Sequence, residues 1–146
     1  MHAPRTPSQH AFEIFIDAGC GLCSREARFM AWLDRRRPPQ RLRLTDIGSR
    51  AFQTVCDETG LDFDTAMRSI HGRILTGDRA GELVEGNEVF RRAYGAIGKL
   101  WGGLWAPTGW PVLRPICDRL YALFARRRYR RRMKAGCPMP TEPRFG

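Results

Sequence analysis

The chain has 146 residues and carries 25 Lys and Arg against 15 Asp and Glu, which gives a formal net charge of +10. This length suits one globular domain, which can bury roughly 68–70% of its unfolded surface without disulfide support. The positive charge favours anionic partners but does not specify a fold. No window of 18 uninterrupted apolar residues occurs, so we expect no membrane span.

The start of the chain does not resemble a secretory signal. Residues 1–11 are polar and contain proline, and the apolar run after them is too short and too acidic for such a signal. Five cysteines without an export signal predict a reducing compartment, and we expect a cytoplasmic protein. In that compartment, closely spaced cysteines are more often catalytic or metal-binding than structural.

The first predicted elements are a strand followed closely by a helix. Phe12–Asp17 is a short apolar run suited to a central strand. A helix is predicted from Cys20 to Arg36, with Cys23 on its buried stripe, and the prolines at 38–39 end it.

Three further elements follow in the middle of the chain. The alternating polar and apolar residues at 41–47 predict a second strand. Ser49 is suited to cap the next helix and Gly60 to end it. The turn-prone residues 76–81 separate two apolar segments and predict a β-hairpin, after which Asn87 is suited to cap another helix.

The order β-α-β-α-β-β-α is the thioredoxin-like layout, an α/β fold in which helices flank a mixed sheet of about four strands. We expect one such domain over residues 11–136, including an extra basic C-terminal helix. Residues 1–10 are predicted to be a disordered lead and 137–146 a proline-rich tail. Sheets of this kind place their sites where strands lead into helices. The first two cysteines lie at the first such junction.

The predicted C-terminal helix begins near Val112, after a loop rich in Gly, Trp and Pro. Its first half has an apolar stripe of Leu113, Ile116, Cys117, Leu120, Leu123 and Phe124. Its second half, "ARRRYRRRMK", is interpreted as a solvated helix end whose charges complement the helix dipole. Contact with an anionic membrane surface or an acidic protein, or with nucleic acid through stacking of Tyr129, is an alternative.

Cys20 and Cys23 form a Cys-x-x-Cys pair at the start of the first predicted helix. The first sulfur meets unsatisfied backbone N–H groups and the positive end of the helix dipole, which favour a thiolate. In motifs of this kind the thiol pKa falls from about 8.5 into the range ~3.5–7.5. Because the thiolate is the species that attacks a disulfide, we predict an exposed Cys20 as nucleophile. Cys23, facing inward one turn later, is the predicted resolving residue.

Two other interpretations of the cysteine pair stay open, namely a structural zinc site and two inert buried residues, whereas an iron–sulfur cluster would lack its third and fourth close cysteines. A structural zinc site needs four ligands, and the remaining candidates, Cys56, Cys117, Cys137 and His71, include no second close pair. Cys56 and Cys117 are expected to pack in the core, and Cys137 to be a bystander beside the tail. His71 is expected to be a hydrogen-bonded strand residue.

Asp17 ends the first predicted strand, three residues before Cys20. A buried carboxylate at this position could relay a proton to Cys23. It could equally accept hydrogen bonds from backbone N–H groups at the helix start. Both interpretations remain open at this stage.

The segment "DAGCGLC", its continuation "CSREARFMAWLDRR" and the later "PVLRPICDRLYALFARRRYR" resemble the DCC family of thiol-disulfide oxidoreductases. The resemblance runs from about residue 12 to 137 and is most specific at its two ends. It implies a thioredoxin-like fold and protein-disulfide oxidoreductase activity, with Asp17, Cys20 and Cys23 as the motif residues.

The sequence departs from the family pattern in two places. Gly21-Leu22 stands between the cysteines where many members have Pro-Phe. Thioredoxins also keep a cis-proline that faces the cysteines, whereas no proline occurs here from Gln40 to Ala106. We therefore expect the chain near Ala66-Met67 to face the site with a different backbone arrangement.

The sequence thus predicts a thiol-disulfide oxidoreductase of the protein-disulfide reductase type, acting on protein or small-molecule disulfides. The cysteine pair itself carries two electrons, so no metal or organic cofactor is required. The alternative is a basic anion-binding module, at a membrane surface or on nucleic acid, whose cysteines are structural or bind a metal. We expect the arginine-rich helix to make at most weak contact with anionic surfaces and none with nucleic acid.

Overall fold

A mixed four-stranded sheet forms the centre of the molecule. The computed structural model describes residues 10–136. The strands in this part of the chain are β1 Phe12–Ile16, β2 Leu42–Asp46, β3 His71–Ile74 and β4 Leu83–Glu85. Their order in the sheet is β2-β1-β3-β4, with β1 parallel to β2, β1 antiparallel to β3, and β3 antiparallel to β4. The predicted thioredoxin-like α/β architecture is confirmed.

Helices flank this sheet. They are α1 Gly21–Arg35, α2 Arg50–Thr59, α3 Phe63–Arg68, α4 Asn87–Ile97, α5 Lys99–Trp105 and α6 Arg114–Lys134. A short 3-10 turn follows α5. Of these helices, α3 and α5 were not predicted from the sequence. None of the helices in residues 10–136 is long and apolar enough to cross a membrane. The predicted tail at 137–146, with Cys137, and the predicted lead, apart from His10, lie outside the described residues.

Local signals fix the ends of α2 as predicted. The Ser49 hydroxyl accepts a hydrogen bond from the Phe52 N–H at 3.3 Å, and Gly60 ends the helix with a φ of 75°. The predicted cap of α4 is wrong by one residue, because Gly86 holds the cap position and Asn87 is the first helical residue. Gly86 has a φ of 68°, which lets the chain turn directly from β4 into the helix.

The alternation of side chains along β1 divides the core into two layers. Phe12 and Ile14 pack with residues of α1 and α4 on one face of the sheet. Phe15 points to the other face and packs with residues of α2 and α3, including Phe52 and Met67. The carboxyl end of β1 is therefore held between two packed layers, which fixes the position of the segment that follows it.

Helix α6 contacts the rest of the protein in a way that the sequence did not predict. The residues it turns inward share one side of the helix: Tyr121, Ala125, Arg128, Tyr129 and Arg132. The predicted apolar stripe is rotated away from this side, so most of its side chains are exposed and the expected packing is wrong. Cys117 is likewise only half-buried.

Two tyrosines fix the position of α6. The Tyr121 hydroxyl accepts a 2.7 Å hydrogen bond from the Ile70 N–H, immediately before β3. The Tyr129 hydroxyl donates a 2.7 Å hydrogen bond to Asp64 in α3. These contacts place the arginine-rich half of α6 next to the junction between β1 and α1.

Candidate active site

The two cysteines occupy the junction between β1 and α1. Cys20 is the cap residue of α1, with an extended backbone, and Cys23 lies in the first helical turn. The Cys20 N–H donates to the Asp17 carbonyl at 3.0 Å, so the chain turns from strand to helix within a few residues. Both cysteines are free thiols.

The exposure predicted for Cys20 is wrong. Cys20 is only 8% exposed, whereas Cys23 is half-buried. The reason is α6, which lies over the motif. Phe124 and Arg128 of this helix line a cleft together with Cys20, so Cys20 is largely covered and borders that cleft.

The ionisation of the two thiols is asymmetric in the predicted direction. Burial of Cys20 disfavours its thiolate, but hydrogen bonds from the Cys23 thiol and from the N–H groups of Cys23 and Leu22 outweigh that cost. With the positive charge of Arg128 adding to them, the pKa of Cys20 falls below its ordinary value. Burial raises the pKa of Cys23 to about 11, and the hydrogen bond to Cys20 acts in the same direction. Cys20 is therefore the thiol that ionises first.

Arg128 connects α6 to the cysteine pair. Its Nη1 lies 3.1 Å from the Cys23 Sγ, and its Nη2 donates to the Met67 carbonyl in α3. This contact confirms that the chain near Met67 faces the site. The interpretation of the arginine run as a solvated helix end is wrong for Arg128, because most of this side chain is covered and it touches a sulfur of the motif.

Asp17 is the third motif residue, and its carboxylate is 7% exposed. Arg132 binds it through two nitrogens, with Nε 2.9 Å from Oδ2 and Nη2 3.1 Å from Oδ1. The Gly19 N–H also donates to Oδ1 at 3.0 Å, which is the predicted acceptor role at the helix start. The Arg132 guanidinium lies so close to Gly19 that a side chain at position 19 would make it shift.

A second cavity lies on the other side of the motif, next to Cys23. Its volume is about 290 Å³. It is lined mainly by apolar and aromatic side chains, among them Phe15, Leu22, Phe90, Trp105 and Phe124. The cysteine pair thus stands between an apolar cavity at Cys23 and an arginine-lined cleft at Cys20.

The remaining sequence candidates do not join this site. His71 is buried in β3, with its Nδ1 2.9 Å from the Ser69 carbonyl oxygen, which confirms a hydrogen-bonded strand histidine. Cys56 is partly buried against the α2 and α3 layer. Across residues 10–136, no group of three or more His, Cys, Asp and Glu side chains is placed to hold a metal ion.

Sequence reasoning missed Arg128 and Arg132 as parts of the site. Both lie in a run of arginines in which each residue has nearly the same neighbours along the chain. Their spacing of four residues places them on one helix face, and this spacing is the signal that was available. Two other pairs in the run, 126/130 and 127/131, share that spacing, so the sequence did not distinguish this pair.

The sheet order and the dithiol at the start of the first helix define a thioredoxin-like protein with a Cys-x-x-Cys site. The family model of the DCC1-like thiol-disulfide oxidoreductases matches residues 14–134, so the chain belongs to that family. This result confirms the resemblance seen at the two ends of the sequence.

The chain is also similar to an uncharacterized chloroplastic protein of Arabidopsis thaliana. It is 29% identical over 122 residues, which cover 84% of this chain and 53% of the relative. The chain therefore spans about half the length of that relative. No solved structure matches the chain.

Proposed function

We propose that this protein reduces disulfides by thiol-disulfide exchange, with Cys20 as the nucleophile and Cys23 as the resolving residue. The observation that carries the proposal is the geometry of the pair. Two free thiols lie three residues apart at the start of α1, Cys20 at the cap position and Cys23 in the first helical turn. Arg128 adds a positive charge beside them.

The reaction proceeds in two exchanges. The Cys20 thiolate attacks one sulfur of the substrate disulfide, forms a mixed disulfide and releases the other substrate half as a thiolate. Cys23 then loses its proton and attacks the Cys20 sulfur, which forms the Cys20–Cys23 disulfide and releases the second half. Two electrons pass from the cysteine pair to the substrate. An external dithiol returns the pair to its reduced form.

Arg128 supports both exchanges through its charge. A guanidinium within 3.1 Å of the Cys23 Sγ stabilises negative charge on either sulfur, so it favours the Cys20 thiolate first and the attacking Cys23 thiolate later. Asp17 contributes through Arg132, since this ion pair holds α6, and with it Arg128, against the motif.

The test separates the roles of the two sulfurs. Cys20→Ser should abolish reduction of a neutral peptide disulfide with dithiothreitol as electron donor. Cys23→Ser, reduced beforehand and freed of dithiothreitol, should retain attack and accumulate a mixed disulfide at Cys20, seen as an added substrate mass on the intact protein. Cys56→Ser is the matched control and should retain activity, because Cys56 lies apart from the site. Full activity of Cys20→Ser would overturn the proposal.

A further inference from the structure

The cleft at Cys20 has an unusual lining for a thiol site. Its volume is about 300 Å³, and four arginines of α6 face it together with Cys20: Arg127, Arg128, Arg131 and Arg132. Cys23 does not belong to this lining and borders the apolar cavity instead. The arginine-lined cleft is therefore the route to the more acidic of the two thiols.

The four arginines fall into two pairs. Arg128 is bound to the Cys23 sulfur and the Met67 carbonyl, and Arg132 is bound to Asp17. Arg127 and Arg131 are exposed, and within residues 10–136 neither of them forms an ion pair. They lie four residues apart and so project from the same side of α6. Two arginines without a carboxylate partner in this part of the chain thus line the cleft.

The small size of the cleft and the positive charge of its lining together favour one class of substrate. Ligand cavities run from about 300 to 1,000 Å³, so this cleft is at the small end and suits a short peptide rather than a protein surface. Guanidinium groups bind carboxylates through paired, charge-assisted hydrogen bonds. The matching substrate is a small disulfide that carries free carboxylates near its sulfur atoms.

We propose that this cleft binds a small anionic disulfide of the glutathione type, a tripeptide disulfide, with its carboxylates on Arg127 and Arg131. The proposal rests on the thiol-disulfide exchange proposed above and names its substrate class. The Cys20 thiolate attacks one substrate sulfur, and one tripeptide leaves as a thiolate that takes a proton from water. The other tripeptide stays on Cys20 as a mixed disulfide until Cys23 displaces it as a second thiolate. An external dithiol then reduces the Cys20–Cys23 disulfide.

The experiment compares two substrates of opposite character, glutathione disulfide and the neutral bis(2-hydroxyethyl) disulfide. In the variant Arg127→Gln/Arg131→Gln, the KM for glutathione disulfide should rise about tenfold with little change in kcat, because both contacts form on binding. The KM for the neutral disulfide should not change. In the wild type, 0.5 M NaCl should raise the KM for glutathione disulfide and leave that of the neutral disulfide unchanged.

The matched control is Arg126→Gln/Arg130→Gln, which removes the same charge from residues of α6 outside the cleft. It should keep the wild-type KM for both substrates. An equal rise of KM in the control and in the cleft variant would overturn the proposal, as would an equal effect on both substrates. If the wild type reduces neither disulfide, the proposed exchange activity itself is wrong. If the neutral disulfide is reduced and the cleft variant is unchanged, only the substrate class is wrong.

Discussion

Removal of Arg132 is expected to destabilise the protein because it strands a buried carboxylate. Asp17 is 7% exposed, and Arg132 contacts it at 2.9 and 3.1 Å. Loss of one partner of a fully buried ion pair costs about 3–5 kcal/mol. Because the Arg132 side chain keeps 23% exposure, water can replace part of the interaction. We expect Arg132→Met to lower the free energy of unfolding by about 2–3 kcal/mol. This loss corresponds to a decrease in Tm of about 5–10 °C for a chain of this size.

A double-mutant cycle isolates the pair from other effects of the substitution. Asp17→Asn keeps an oxygen that can accept from the Gly19 N–H. The double variant Asp17→Asn/Arg132→Met no longer contains the stranded charge, so it should be more stable than the sum of the single losses by about 1–2 kcal/mol. Urea unfolding followed by circular dichroism, with dithiothreitol present throughout, measures each value. Arg130→Met is the control, since this arginine is exposed on the same helix.

Two outcomes would contradict the coupling of Asp17 and Arg132. Equal stability of Arg132→Met and the Arg130→Met control would show that Asp17 does not depend on its partner. Additive single losses, within about 0.5 kcal/mol, would show that the two side chains are not coupled. Either result would remove the basis for Asp17 as the anchor of α6.

Three further predictions concern the thiols and the packing around them. Because the pKa of Cys20 is lowered and that of Cys23 is raised to about 11, iodoacetamide should modify Cys20 first at neutral pH. The rate of Cys20 alkylation should fall as the pH drops through the Cys20 pKa. Equal, slow labelling of both residues in mass spectrometry would contradict this order. Gly72→Ala should cost about 1–3 kcal/mol in urea unfolding, because the added carbon meets Phe12 and the β1 backbone, and an unchanged midpoint would show that the strands can separate. Tyr121→Phe should cost about 1–2 kcal/mol, because the Ile70 N–H loses its acceptor, and wild-type stability would show that water replaces the hydroxyl.

The parts of the fold that were predictable depend on signals between close neighbours in the sequence. Alternating apolar residues specify β1, and the side chain of Ser49 and the left-handed conformation of Gly60 specify the ends of α2. The position of Cys20 at the start of α1 follows from the same kind of signal. Helix α3 was missed because six residues carry little periodicity, although Asp62 caps it with a 2.8 Å hydrogen bond from the Thr65 N–H.

The surroundings of the cysteines depend on contacts between distant residues, and these were not predictable. The rotation of α6 about its axis decides which arginines face the motif. Two hydrogen bonds fix this rotation, one between Tyr121 and Ile70 and one between Tyr129 and Asp64. The same rotation turns the apolar stripe outward and covers Cys20. The local pattern of apolar residues predicted a different orientation of α6, because it contains no information about polar anchors on other elements.

The contact between Arg128 and Cys23 spans 105 residues of sequence. Ribosomes add about 5–20 residues per second, so the guanidinium is made roughly 5–20 s after the sulfur it touches. During that interval the nascent chain carries both thiols without the positive charge that helps to lower the pKa of Cys20. The emerging Cys20 therefore lacks part of the stabilisation of its thiolate, and it acquires its full nucleophilicity only when the last helix docks.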